Sequence, residues 1–208
     1  MLMVKSGPVN RTERQIAWLL FALVAALYLR TQAPGLLDGD TGEFQTAAWR
    51  FGLAHATGYP LYLLAGGLWQ HLLALFGVPP AAALNAFSAV TAAGAVAFFY
   101  LLLVDWLPGS TMARRLGALF AALLLATNPT FWSQALIAEV YALHSLLLVA
   151  ILWSFGRFAE FHRVQTQESG GETQLGAIRS RRALVMLAGF IGLGLTHHGL
   201  TLLLLPPL

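Results

Sequence analysis

Twenty-four consecutive residues, Ala81 to Val104, carry no charge. As an α-helix they would extend about 36 Å at 1.5 Å per residue, enough to cross the ~30 Å hydrocarbon core of a bilayer. Lipid offers no partner to an exposed N–H or C=O, so a spanning segment must satisfy its backbone internally, as a helix or a closed barrel does. Uncharged runs of this length favour the helix. Composition extends the point to the whole chain of 208 residues: 58% are hydrophobic and 10% charged, against about 45–50% and about 25% in soluble domains. A soluble globule, a coiled coil and a disordered tail are excluded. The absence of cysteine removes disulfides, thiolate metal sites and cysteine nucleophiles.

The expected fold class is an all-α polytopic membrane protein, with spans at about 16–29, 81–104, 115–128, 138–156 and 183–205. Met1 to Gln15 is polar and basic, and Ile16 to Leu29 is a short apolar run whose flanking Arg14 and Arg30 can snorkel. A cleaved signal peptide has the same outline, but no small-x-small cleavage site follows Leu29, which favours a retained anchor. Gly77-Val-Pro-Pro80 ends the run from Tyr59 to Phe76, and Asn128-Pro129 ends the run from Leu116. Residues 157–182 form a polar stretch with five arginines and a Gln/Glu/Gly-rich, flexible middle at Gln165 to Gly176. The apolar segment still in progress at Leu208 suggests the front part of a longer chain.

Charge decides which runs cross. If Tyr59 to Phe76 crosses and the N-terminus is cytoplasmic, Arg114, Arg115 and the five arginines of 157–182 fall outside. If that run lies in the interface, within one outer loop of about 30–80, ten of the twelve Lys and Arg residues become cytoplasmic, leaving only Arg30 and Arg50 outside. The positive-inside rule selects the second layout, a multi-pass protein of the cell membrane with a cytoplasmic N-terminus. Topology thus explains the +3 net charge, and no nucleic-acid-binding signature competes with it.

This layout collects Asp38, Asp40, Glu43, His55 and Glu139 at one face, with His197 and His198 approaching from the last span. Ionisable groups at membrane depth are costly and by default functional. Each also has a plainer role. Asp40 can cap a helix expected from Thr41 to Phe51, with Glu43 completing a capping box. Asp38 can be a solvated loop acid, Glu139 half of a structural ion pair, and a lone histidine a satisfied core residue. Glu139 and His144 lie about 140° apart on a continuous helix, so they make no dyad, and only one of His197 and His198 is expected to face the bundle. General-base activation of a hydroxyl, oxygen-ligated divalent metal binding and cation transport all fit such carboxylates.

The motifs narrow the choice. Gly39-Asp-Thr-Gly-Glu-Phe44, Ala54-His-Ala-Thr-Gly-Tyr-Pro-Leu-Tyr62, Asn85-Ala-Phe-Ser-Ala89, Asn128-Pro-Thr-Phe-Trp-Ser-Gln134, Ala138-Glu-Val-Tyr-Ala-Leu-His144 and Gly194-Leu-Thr-His-His198 resemble, in order, the protein O-mannosyltransferase-like family of GT-C membrane glycosyltransferases. The resemblance covers the chain from about residue 16. It implies a GT-C-like helix bundle with interfacial helices in the first outer loop, the chain being the N-terminal part of the catalytic module. It also implies a polyprenyl-phosphate sugar donor, a protein or lipid acceptor, and contact with membrane lipid. By resemblance Asp40 is the general base of an inverting transfer and Glu139 the second-loop acid; Glu43, three residues after Asp40, joins them as a catalytic candidate. Arg50, His55, Tyr59, Tyr141, His197 and His198 are then candidates for substrate binding. Ala56 and Thr57 stand where the family usually has two prolines. A divalent cation is left open as cofactor. A transporter using Glu139 and the histidines, or a non-catalytic assembly subunit, are the alternatives; the first lacks the repeats and broken helix pairs of transporters.

Overall fold

The structure is a computed structural model that describes residues 10–56, 58–167 and 174–204. Half of the expected flexible stretch of 165–176, together with Lys5 and Pro206-Pro207, lies outside the described residues. The fold is all-α. Its helices are α1 (Arg11–Thr31), α2 (Gly39–Trp49), α3 (Pro60–Ala74), α4 (Pro80–Trp106), α5 (Thr111–Thr127), α6 (Pro129–Ala135), α7 (Val140–Gln167) and α8 (Gln174–His197), followed by a 3-10 turn at Gly199–Leu204.

Helix starts follow local chemistry. Asn10 accepts from the Glu13 amide at 2.9 Å, Ser110 from Ala113 at 3.3 Å, and Asn128 from Thr130 and Phe131. Each thereby satisfies an N–H that the helix itself leaves unpaired. Pro60, Pro80 and Pro129 occupy the first position of their helices, where the missing N–H costs nothing.

Packing rests on small residues. Ala118, Ala122 and Ala126 form a buried i, i+4, i+8 stripe on α5, and Ala89, Ala92, Ala93 and Val96 are buried on α4. Such residues let helix backbones approach where lipid supplies no hydrophobic drive. Helix α4 is central, packing against α1, α5 and α7. Leu20, Val24 and the fully buried Tyr28 face it from α1, and the Tyr28 hydroxyl donates to the Ala126 carbonyl at 2.7 Å. Trp18, Leu19, Leu23 and Phe120 point outward, as suits a lipid-facing surface.

Among the described residues three helices, α1, α4 and the Val140–Glu160 part of α7, are long and apolar enough to cross a membrane. The pair α5 and α6 counts as a fourth only if its 64° bend at Asn128 lies within one span. The run of 183–205, expected as one span, breaks instead: α8 stops at His197 and the chain tightens into a 3-10 turn after His198. The arginine-rich stretch of 157–182 is helical through Gln167 and again from Gln174. Helix α3 has 15 residues, about 22 Å, short of the hydrocarbon core.

At one end of the bundle α1, α4 and α5 are tied by a buried ionic cluster. Glu13 is 3% exposed, takes a 2.6 Å contact from the Arg115 guanidinium and accepts from the Tyr100 hydroxyl. Asp105 lies 3.7 Å from Arg157 nearby.

Candidate functional site

At the other end, α2 is held down by amide side chains. Gln45, 2% exposed, accepts from the Leu37 amide at 3.1 Å and donates to Asn85 Oδ1 at 2.9 Å and to the Gly35 carbonyl at 3.2 Å. Asn85 donates in turn to the Ala33 carbonyl at 2.8 Å. Gln70 of α3 donates to the carbonyls of Gln45 and Pro80, both at 3.0 Å. Gly42 allows the tight entry into α2, since a Cβ there would lie 2.0 Å from the Leu37 carbonyl oxygen. Gly67 allows α3 to press on α2, because its Cβ would meet the Ala48 oxygen at 2.4 Å.

The helix so positioned begins at Gly39, with Asp38 as N-cap and no side-chain cap bond. Asp40 therefore sits in the first turn, and the capping box expected from Asp40 and Glu43 does not form. Glu43 turns instead to His55: Oε1 accepts the His55 amide and Oε2 pairs with Nδ1, each at 2.7 Å. Bonding from the His55 ring, then from its amide, holds Glu43 below the usual carboxylate range. The same ring contact raises His55, and the charges of Glu43, Asp40 and Glu139 add to it. Phe44, 1% exposed, packs edge-on or tilted against His55, Tyr59 and Tyr62. Tyr59 itself has φ +42°, a conformation costly to a bulky residue and recurrent at ligand sites.

Glu139 stands in the connection just before α7. Its Oε1 accepts from Thr41 at 3.1 Å, and its amide lies 3.3 Å from Ser88 Oγ. Partial burial raises its pKa, with Thr41 opposing and the charge of Asp40 adding. The Asp40 carboxylate accepts no hydrogen bond from a described residue. One ligand atom each from Asp40, Glu43 and His55 lies within 4.8 Å of the others. That set of two carboxylates and an imidazole could hold a divalent cation, although Glu43 already engages Nδ1.

The histidines form the adjoining wall. His144 lies 5.9 Å from His197 and 4.9 Å from His198 between ring centroids. Both members of the pair face the site, contrary to the helical-wheel expectation, because the helix ends between them. His197 Nε2 lies 3.0 Å from the Val140 carbonyl; a carbonyl only accepts, so Nε2 carries the proton. His198 Nδ1 accepts from the Leu200 amide at 3.1 Å, which leaves Nε2 as the donor of a neutral ring. Tyr59 and Tyr141 flank His198 at 5.7 and 6.3 Å. Tyr141 also lines a cavity of about 540 Å³, together with apolar Leu125, Phe131 and Ala142 and polar Asn128 and Gln134.

Of the residues singled out from sequence, the structure thus brings together Asp40, Glu43, His55, Tyr59, Glu139, Tyr141, His197 and His198. It does not bring in Arg50, which caps the far end of α2, about 15 Å from Asp40 at the helical rise. Sequence reasoning missed Thr41, Ser88 and His144 as parts of the site. Ser88 lies inside the Asn85–Ala89 motif, and Thr41 is next to Asp40, so position alone could have flagged both.

Residues 40–208 match the family described as the protein O-mannosyl-transferase TMEM260 N-terminal domain. A protein O-mannosyl-transferase tmem260 of Dictyostelium discoideum is 28% identical over 190 residues, covering 90% of this chain and 22% of that protein. A protein O-mannosyl-transferase TMEM260 of Mus musculus is 32% identical over 157 residues, covering 74% of this chain and 21% of that protein. The chain spans about a fifth of the length of these relatives. No solved structure matches. The extent of the match, and the fact that it begins at the first carboxylate of the site, place the chain in the protein O-mannosyl-transferase TMEM260 N-terminal domain family.

Proposed function

We propose that this chain is the N-terminal part of the catalytic module of a GT-C-type membrane glycosyltransferase. It transfers a sugar, mannose by the names of its relatives, from a polyprenyl-phosphate donor to a hydroxyl of a protein or lipid acceptor at the outer membrane face. The observation that carries the reading is the contrast among three neighbouring carboxylates. Glu43 has both oxygens engaged by His55, and Glu139 accepts from Thr41. Asp40 accepts no hydrogen bond on either oxygen from a described residue, and a general base requires open lone pairs.

In this reading Asp40 accepts the proton of the acceptor hydroxyl as that oxygen attacks the anomeric carbon. The bond from that carbon to the phosphate oxygen breaks, and the phosphate leaves with its electron pair. One displacement inverts the anomeric centre. The growing charge on the phosphate needs donors held in place. His55, favoured in its charged form by Glu43, and His198, with Nε2 free to donate, suit that task. Tyr59 and Tyr141 offer ring surfaces for the sugar, and the cavity beside Tyr141 offers apolar walls for a prenyl chain. If the Asp40, Glu43 and His55 set holds a divalent cation, the ion would neutralise charge on the phosphate.

The test is an assay of the full-length gene product with radiolabelled polyprenyl-phosphate mannose and membrane extract. Transfer of label to protein or lipid, with the opposite anomeric configuration to the donor, is expected. Solute flux in liposomes with no transfer would refute the assignment.

A further inference from the structure

A second concave site lies away from the chemistry, between α1, α4 and α7. A cavity of about 410 Å³ is lined on its apolar walls by Trp18, Phe21, Val90, Phe98 and Leu146. Gly94 forms part of its floor, and Arg14 stands at one end. Arg14 is exposed, and its guanidinium has no acidic partner among the described residues, whereas Arg115 and Arg157 nearby are paired with Glu13 and Asp105. From Val90 to Leu101 the recess follows α4 for about 16 Å, half of a ~30 Å hydrocarbon core and thus one leaflet deep. Its walls are suited to hydrocarbon and its one charged end to an anion.

We infer that this groove is a binding site for an anionic phospholipid, one acyl chain lying along α4 and the headgroup phosphate on Arg14. The ligand is distinct from any donor at the candidate active site. Arg14 sits level with the Glu13–Arg115 cluster, and the Asp40 and Glu139 carboxylates lie at the opposite end of α4, beside Asn85 and Ser88. A headgroup on Arg14 therefore lies in the other leaflet. Gly94 keeps the groove open: a Cβ there meets only Leu146 methyls, at 3.5 and 3.6 Å. Alanine should fit, and a longer side chain should fill the space the acyl chain needs.

The test uses the full-length protein in nanodiscs with equal phosphatidylglycerol and phosphatidylethanolamine, followed by native mass spectrometry of retained lipid. Phosphatidylglycerol should be retained preferentially. Arg14→Gln should lower that preference about five-fold, the effect of one cation near an anionic surface. Gly94→Leu should reduce retention of both lipids, with Gly94→Ala close to the parent. A benzophenone amino acid replacing the exposed Trp18 should photo-crosslink to lipid. Crosslinking to another segment of the protein or to a second copy would overturn the inference, as would equal retention of the two lipids or no effect of Arg14→Gln. None of these readouts depends on glycosyl transfer.

Discussion

Replacing Gln45 by alanine should loosen the platform that carries Asp40 and Glu43. The side chain joins three separate segments, accepting from Leu37 and donating to Asn85 and Gly35. Truncation strands the Leu37 N–H and the Asn85 Oδ1, while the Gly35 carbonyl keeps a long contact with Asn85 Nδ2 at 3.4 Å. A stranded buried polar group costs about 1–3 kcal/mol, so two of them amount to about 3 kcal/mol. For a domain of this size that is roughly 6–12 °C in unfolding midpoint. Gln45→Glu keeps the acceptor for Leu37 and loses the donor, so it should fall between. Gln15→Ala, on the exposed face of α1, should stay within about 0.5 kcal/mol of the parent. The assay is tryptophan fluorescence on heating in detergent, with amide exchange at Leu37 as the local readout. Unchanged Leu37 exchange and a midpoint within about 2 °C of the parent for Gln45→Ala would show that Gln45 does not hold α2 in place.

Other consequences can be checked separately. Glu13→Gln removes the charge paired with Arg115 and should cost about 3 kcal/mol, the low end for a buried pair because Arg115 is a quarter exposed; a thermal melt reads it. The Glu43–His55 pair should hold the 52–59 loop best in a defined pH window. Glu43 is depressed, so its contribution is complete above its unfolded pKa of about 4.5 and fades as pH falls through its folded value. His55 is raised, so its contribution is complete below its unfolded pKa of about 6.5 and fades as pH rises through its folded value. Limited proteolysis of the loop against pH should show protection between these limits, and His55→Gln should abolish the alkaline loss. Thr41→Val removes the hydroxyl that orients Glu139 and should lower kcat at least ten-fold with little change in KM, measured by initial rates of label transfer.

Much of the architecture was legible because lipid leaves few options. An uncharged run such as 81–104 has to be helical, and Gly77-Val-Pro-Pro80 and Asn128-Pro129 end the runs before them by chemistry that needs no tertiary context; that Pro80, Pro129 and Asn10 also start helices is seen only in the structure. The distribution of arginine argues against a span at 59–76; α3, the helix within that run, has 15 residues, fewer than the hydrocarbon thickness needs. The exceptions come from pairings between distant segments. Glu13 read as one more charge in a basic leader, since nothing local shows that Arg115 and Tyr100 enclose it. Asp40 and Glu43 read as a capping box because the pattern is local, whereas the partner that captures Glu43 lies twelve residues away. The break after His197 defeated the helical wheel, which assumes a continuous helix. The motif residues marked the site, but its internal division into one open and two engaged carboxylates could come only from three dimensions.

If Asp40 is the base of a glycosyl transfer, its replacement should stop the transfer without disturbing the fold. The full-length protein with Asp40→Asn, matched to the parent in membrane insertion and thermal stability, is assayed for transfer of radiolabelled mannose from its polyprenyl phosphate. Asparagine preserves shape and cannot accept the proton, so transfer should fall to near background. Transfer at the parent rate would exclude Asp40 as the base.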